Sequence, residues 1–183
     1  MKKHKIIILI TIILSSIFLS SCSFEPRSSK AMPDELNKIY FSPIKPDSVL
    51  TTQLNELFRS LHIQLVKQQS SAPFSVIISR DHFSYSRPDF VDTTLPTTIS
   101  FSQFATISIE NNKNHKTVAK KEFVTTLSVT LNANQIYTAD ANNLMQRQLC
   151  QQLVTLIYYW FIASNTQAAL YYANHPKTAH YAS

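Results

Sequence analysis

Cys22 closes the stretch Leu-Ser-Ser-Cys, residues 19–22, directly after an apolar run and directly before a polar one. A cysteine in that place can be half of a disulfide, a metal ligand or the target of a modification, and its neighbours choose among these. Lys2, Lys3 and Lys5 make a positive start, and Ile6 to Leu19 is apolar except for Thr11, Ser15 and Ser16. Those fourteen residues rise about 21 Å as a helix, short of the roughly 30 Å hydrocarbon core of a bilayer, so the run reads as a signal peptide and not as a span. The small residues Ser20 and Ser21 before Cys22 give the lipoprotein form of a cleavage site. There the thiol takes diacylglycerol, and cleavage leaves the cysteine as residue one with an N-acyl chain such as palmitate. The competing reading is an ordinary secretory signal with an incidental cysteine. Each buried acyl methylene contributes about 0.8 kcal/mol, so two or three chains hold a protein on a membrane without a spanning helix.

The other residues able to do chemistry are few. Cys150 is the second of two cysteines, so with Cys22 acylated no intramolecular disulfide and no cysteine metal site can form. It falls on the apolar side of a helical pattern and reads as a small buried hydrophobe, with a redox or interchain role as the alternative. His62, His82, His115, His175 and His180 show no metal-ligand spacing and read as surface residues. No serine sits between glycines in a nucleophile elbow, and the carboxylates are not paired, so no enzyme is indicated. Glycine is absent from the whole chain, which removes the phosphate-cradling and dinucleotide loops. Turns must then come from Asn, Asp and Pro, at residues 43–47, 88–92 and 111–114.

Lys113, Lys116, Lys120 and Lys121, with His115, gather positive charge along one short stretch. Such a stretch is either a solvated turn or a place where ammonium groups meet phosphates. Tyr158, Tyr159, Trp160 and Phe161 make an aromatic run that reads as core or as partner interface. Charge elsewhere is unremarkable. The chain has 17 Lys+Arg and 11 Asp+Glu, and losing Lys2, Lys3 and Lys5 with the leader leaves about +3, so no nucleic-acid partner is indicated.

The elements that must position these residues follow from periodicity. Residues 1–21 are the leader, 22–37 a polar, Pro-punctuated tether, 38–165 the folded domain, and 166–183 a flexible tail after some frayed helix. Residues 37–42 read as a first strand. Leu50, Leu54, Leu57, Phe58 and Leu61 then form a single helical stripe capped by Asp47 or Ser48. Residues 63–66 and 74–85 are strand material, and the apolar parity switches between Ile78 and Phe83, which calls for a bulge near Arg80-Asp81. Residues 99–109 and 123–131 alternate cleanly and read as a long hairpin whose tip is residues 110–116. The last helix begins near Asp140, and from Leu153 to Ala163 it is apolar nearly all round, so its second face needs a cover, expected from an external partner. The expected fold is α+β: a two-layer sandwich in the order β-α-β-β-β-α, with a mostly antiparallel four-stranded sheet and two helices on one face.

In this arrangement the chain resembles the LPS-assembly lipoprotein family, LptE. Cys22-Ser23-Phe24-Glu25-Pro26-Arg27 is similar to the family's Cys-Gly-Phe-x-x-Arg, with serine for glycine. Ile39-Tyr40, Leu50-Thr51-Thr52 to Leu61, and Leu65-Val66 resemble its strand ending in Tyr, its Leu-Thr helix and its short apolar strand, with His62 where the family usually has Gly. Tyr137, Asn142 and the helix from Leu144 to Ala163 resemble its closing part. The resemblance implies a non-enzymatic outer-membrane lipoprotein that plugs a large β-barrel of the LptD type and assists lipopolysaccharide assembly, with the basic stretch near lipopolysaccharide. Ser23, where an Asp would resemble the inner-membrane retention signal, points the same way. Two other readings stay open: a lipid-anchored periplasmic carrier for a small apolar ligand, and a cell-wall hydrolase.

Overall fold

The computed structural model describes residues 32–86, 96–132 and 139–175. Cys22, the leader, the expected turn at 88–92, Tyr137 and the last eight residues lie outside them. The described residues form β1 (Lys38–Pro43), α1 (Val49–Ser60), β2 (Gln64–Val66), β3 (Phe74–Ser86), β4 (Thr97–Asn111), β5 (Lys116–Leu131), α2 (Ala139–Phe161) and α3 (Ser164–Asn174), with short 3-10 turns at Asp34–Leu36 and Gln69–Ser71.

One sheet runs in the order β2-β1-β3-β4-β5. β1 pairs parallel to β2 and β3, and the long β3-β4 and β4-β5 pairs are antiparallel. The α+β sandwich with helices on one face is as expected; the sheet has five strands instead of four. The strand material at 63–66 forms β2 as a strand of its own, held at the sheet edge by β1, which raises the count from four to five.

α1 forms where its single apolar stripe demands. Ser48 caps it, with Oγ accepting from the Thr51 amide at 3.2 Å, and Leu50, Leu54, Leu57 and Phe58 are buried on the sheet. It ends in a Schellman motif: the Ile63 amide donates to the Phe58 carbonyl at 2.9 Å and the His62 amide to that of Arg59 at 3.0 Å. This closure requires left-handed backbone at His62, whose φ is +59°. That conformation is natural to glycine and costs a residue with a Cβ about 1 kcal/mol. The hairpin turn asks the same of His115, at φ +55°.

The register of β3 on β4 shifts between Ile78 and Arg80, where the parity switch placed a bulge. Before it Phe74, Val76 and Ile78 face the helices; after it Asp81, Phe83 and Tyr85 share rows with Ala105, Gln103 and Phe101 on that same face. The helix-free face is wet and rich in hydroxyls, with Thr98 opposite Thr130 and Ser100 opposite Ser128, each pair of oxygens 3.1 Å apart.

Where the sequence predicts frayed helix after residue 165, α3 occupies Ser164–Asn174 and is packed on the domain, with Thr166 and Leu170 buried and Asn111 Nδ2 donating to the Ala173 carbonyl at 2.9 Å. Thr166 and Leu170 are its buried side chains, with Ala173 packed against the same core, while Tyr171 and Tyr172 face out, so α3 shows no strong apolar stripe. Most of the apolar surface of α2 is covered within the chain, since Cys150, Leu153, Val154, Ile157 and Phe161 belong to one core with α1, the sheet and Leu170 of α3, while Leu156 and Tyr159 stay exposed. Asp140, expected near the cap, lies in the first turn of α2.

Candidate functional site

The structure separates the aromatic run. Phe161 has no exposed surface, and Tyr158 and Trp160 are buried; Tyr159 alone turns outward, 59% exposed. Both readings of the run apply, to different residues: a helix carries successive residues about 100° apart, so Tyr158, Trp160 and Phe161 turn inward and Tyr159 points away from both the sheet and α1. Trp160 packs edge-on against Phe123 of β5 at 5.6 Å, and Phe161 continues the contact to Phe58 of α1 at 6.2 Å.

The lysines are divided as well. Lys113 lies in the turn, its amide bonded to Asn111 Oδ1 at 2.9 Å, and the Lys116 amide is bonded to Asn114 Oδ1 at 3.0 Å. Lys120 and Lys121 stand further along β5, opposite Ser108 and Ile107. Successive strand residues point to opposite faces, so Lys120 looks out from the helix-free face and Lys121 from the helix face. Lys121 is five strand residues from Lys116, about 17 Å, beyond the 8 to 10 Å over which exposed charges act in physiological salt. Four lysines close in sequence therefore make no single cluster.

Two of the expected groups do meet. Lys121 Nζ lies 5.5 Å from the Phe123 ring centre, and that ring carries Trp160 on its other contact. Lys121, Val124, Leu156, Tyr159 and Trp160 line a groove of about 430 Å³ between the sheet-edge strand β5 and the end of α2. Val124, Leu156 and Tyr159 are all exposed, so apolar surface, one cation and an edge strand lie side by side. Periodicity of α2 alone could have picked out Leu156 and Tyr159, three apart on one face; their placement beside β5 could not be read, since it depends on the crossing of helix over sheet. A second groove of about 530 Å³, between the turn holding Asp34 and Glu35 and the α3 pair Tyr171 and Tyr172, was not foreseen at all.

Cys150 is fully buried on α2, and its thiol is pushed up to about 12, first by burial and then by the negative charge of Asp81. It stays protonated and inert at neutral pH, in keeping with a small buried hydrophobe. His82 stands beside Phe104 at 6.4 Å on the helix-free face, and no group of His, Cys, Asp or Glu among the described residues could hold a metal ion. No helix among the described residues is long and apolar enough to cross a membrane.

These features define a one-sheet α+β domain with one face covered by helices and a mixed apolar and basic groove at its last strand. No family model matches the chain, and no curated protein matches it. Its likenesses among solved structures include bacterial lipoproteins. The fold is similar to that of a minor lipoprotein from Acinetobacter baumannii, with a TM-score of 0.56 at 15% identity over 69% of this chain and 91% of that one. Rare lipoprotein B from Shewanella oneidensis gives 0.41 at 13% identity over 79% and 96% of the two chains. An uncharacterized lipoprotein B from Nitrosomonas europaea gives 0.45 at 8% over 78% and 92%. The first establishes a shared fold; the two lower scores add nothing to it.

Proposed function

We propose that this chain is an outer-membrane lipoprotein, anchored through acyl chains on Cys22, that binds a large β-barrel protein of the LptD type and assists lipopolysaccharide assembly without catalysing a reaction. The observation that carries this reading is the groove at β5, where Leu156 and Tyr159 present apolar surface beside an edge strand and Lys121. An edge strand offers unpaired backbone groups and a half-apolar groove offers anchors, a combination suited to a strand-built partner. The shared fold with a lipoprotein and the Leu-Ser-Ser-Cys pattern support the anchored setting. Lys113 and Lys116 at the turn and Lys121 at the groove are the cations that would meet lipid phosphates, as separate weak contacts of about 0.2 to 1 kcal/mol each. The reading as a carrier of a small apolar ligand between helices and sheet has no such support, for that layer is filled by Phe58, Phe74, Leu54 and Phe161.

Capture of the full-length chain from detergent-solubilised membranes of its host tests the proposal. One large β-barrel protein should be recovered with it in defined ratio, and mass spectrometry should find diacylglycerol on Cys22. Recovery of the chain without a barrel, or an unmodified Cys22 in the mature protein, would overturn it.

A further inference from the structure

The helix-covered layer is not one continuous apolar core. Past the bulge of β3, Asp81, Gln103 and Thr125 face the helices and are buried, Gln103 completely. Gln103 shares its row with Phe83 and Thr125, and Asp81 lies in the next row with Ala105 and Phe123. Gln103 Nε2 donates to Asp81 Oδ1 at 2.7 Å, and Thr125 Oγ1 donates to the Leu149 carbonyl of α2 at 3.1 Å. Asp81 Oδ2 and Gln103 Oε1 are buried and find no hydrogen-bond donor among the described residues. This polar belt divides the packing in two. On one side lies the large cluster that includes Ile39, Phe58, Ile107, Ile109, Phe123 and Phe161. On the other side only Ile99, Phe101 and Leu149 are fully buried, with Phe83, Leu127, Val129 and Met145 half-covered around them.

A buried acceptor without a donor costs about 1 to 3 kcal/mol, and a polar row supplies little of the dispersion contact that couples one part of a core to the next. Regions with few buried apolar contacts open at a lower free energy than the rest of a domain. We infer that the end of the sheet beyond Gln103, with the first half of α2, opens as a cooperative unit while the main core stays folded, the Asp81–Gln103–Thr125 belt being its boundary. Opening uncovers Ile99, Phe101 and Leu149, so the fold carries a built-in means of exposing apolar surface at the end away from the hairpin turn. The inference is independent of the function proposed above.

Native-state amide hydrogen exchange on the full-length chain tests it within a single strand. β4 is flanked by β5 from Thr97 to Asn111 and by β3 from Ser100 to Asn111. The amides of Phe101 and Ser102, within the doubly flanked part, should share one protection factor, at least tenfold below the one shared by Ile107, Ser108 and Ile109, with the step at Gln103. Protection within tenfold along the strand, or a smooth decline toward its end as fraying gives, overturns the inference. A variant joining Asp81→Leu to Gln103→Leu makes the belt apolar and should remove the step; a step that persists in the folded variant also overturns it. If that variant does not fold, the wild-type profile decides alone.

Discussion

Tyr159 and Phe161 sit two residues apart on α2, one 59% exposed and the other with no exposed surface. The inward side of this helix, Leu153, Ile157, Trp160 and Phe161, holds the domain together, whereas the outward side, Leu156 and Tyr159, stands beside β5 with apolar surface and little structural duty. The difference teaches that an aromatic run is neither core nor interface as a block. Helical rotation assigns each residue separately: α1, α3 and the sheet cover the inward residues of the greasy segment, and Leu156 and Tyr159 are left exposed.

The largest effect should therefore come from the inward side. Phe161→Ala is expected to destabilise the domain by about 3 to 5 kcal/mol in urea unfolding, the usual range for a buried Phe, while Tyr159→Ala should stay within about 1 kcal/mol. Equal losses would erase the distinction between the two sides. Cys150 sharpens it through pH. Its thiol is raised from 9.0 to about 12 in the folded chain, so the contribution is full below pH 9 and is lost as pH rises toward 12. Stability of the wild type should fall more steeply with pH in that window than that of Cys150→Ala, by at most about 1.4 kcal/mol per pH unit for one proton. Parallel slopes would mean that Cys150 is not held in the interior. A smaller gain is expected at the end of α1, where His62→Gly should relieve left-handed strain and raise stability by about 1 kcal/mol in the same unfolding assay. A loss there would mean that the His62 side chain contributes more than its backbone costs.

Much of this fold was legible because period and parity report directly on burial. The stripe from Leu50 to Leu61 gave α1, Ser48 gave its cap, and the opposite parities of Ile78 and Phe83 gave the bulge. What could not be read lacked a local signature. The number of strands reads as four because β2 has only three residues, α3 buries only Thr166 and Leu170, and the left-handed role of His115 carries no mark in a chain without glycine. The candidate site was half legible. Lysines close in sequence looked like one patch, but strand alternation and extension set them on two faces and up to about 17 Å apart. The meeting of Lys121 with Tyr159 depends on tertiary crossing and was invisible.

The central claim is that the outward side of α2 and the edge of β5 form a partner-binding face. Its most direct test places a photo-crosslinking residue at Tyr159 and, as control, at Ser128 on the helix-free face, in the full-length chain in its host. The account predicts that Tyr159 yields a single adduct with a large β-barrel protein and Ser128 yields none; an absent adduct at Tyr159, or the same adduct from both positions, would contradict it.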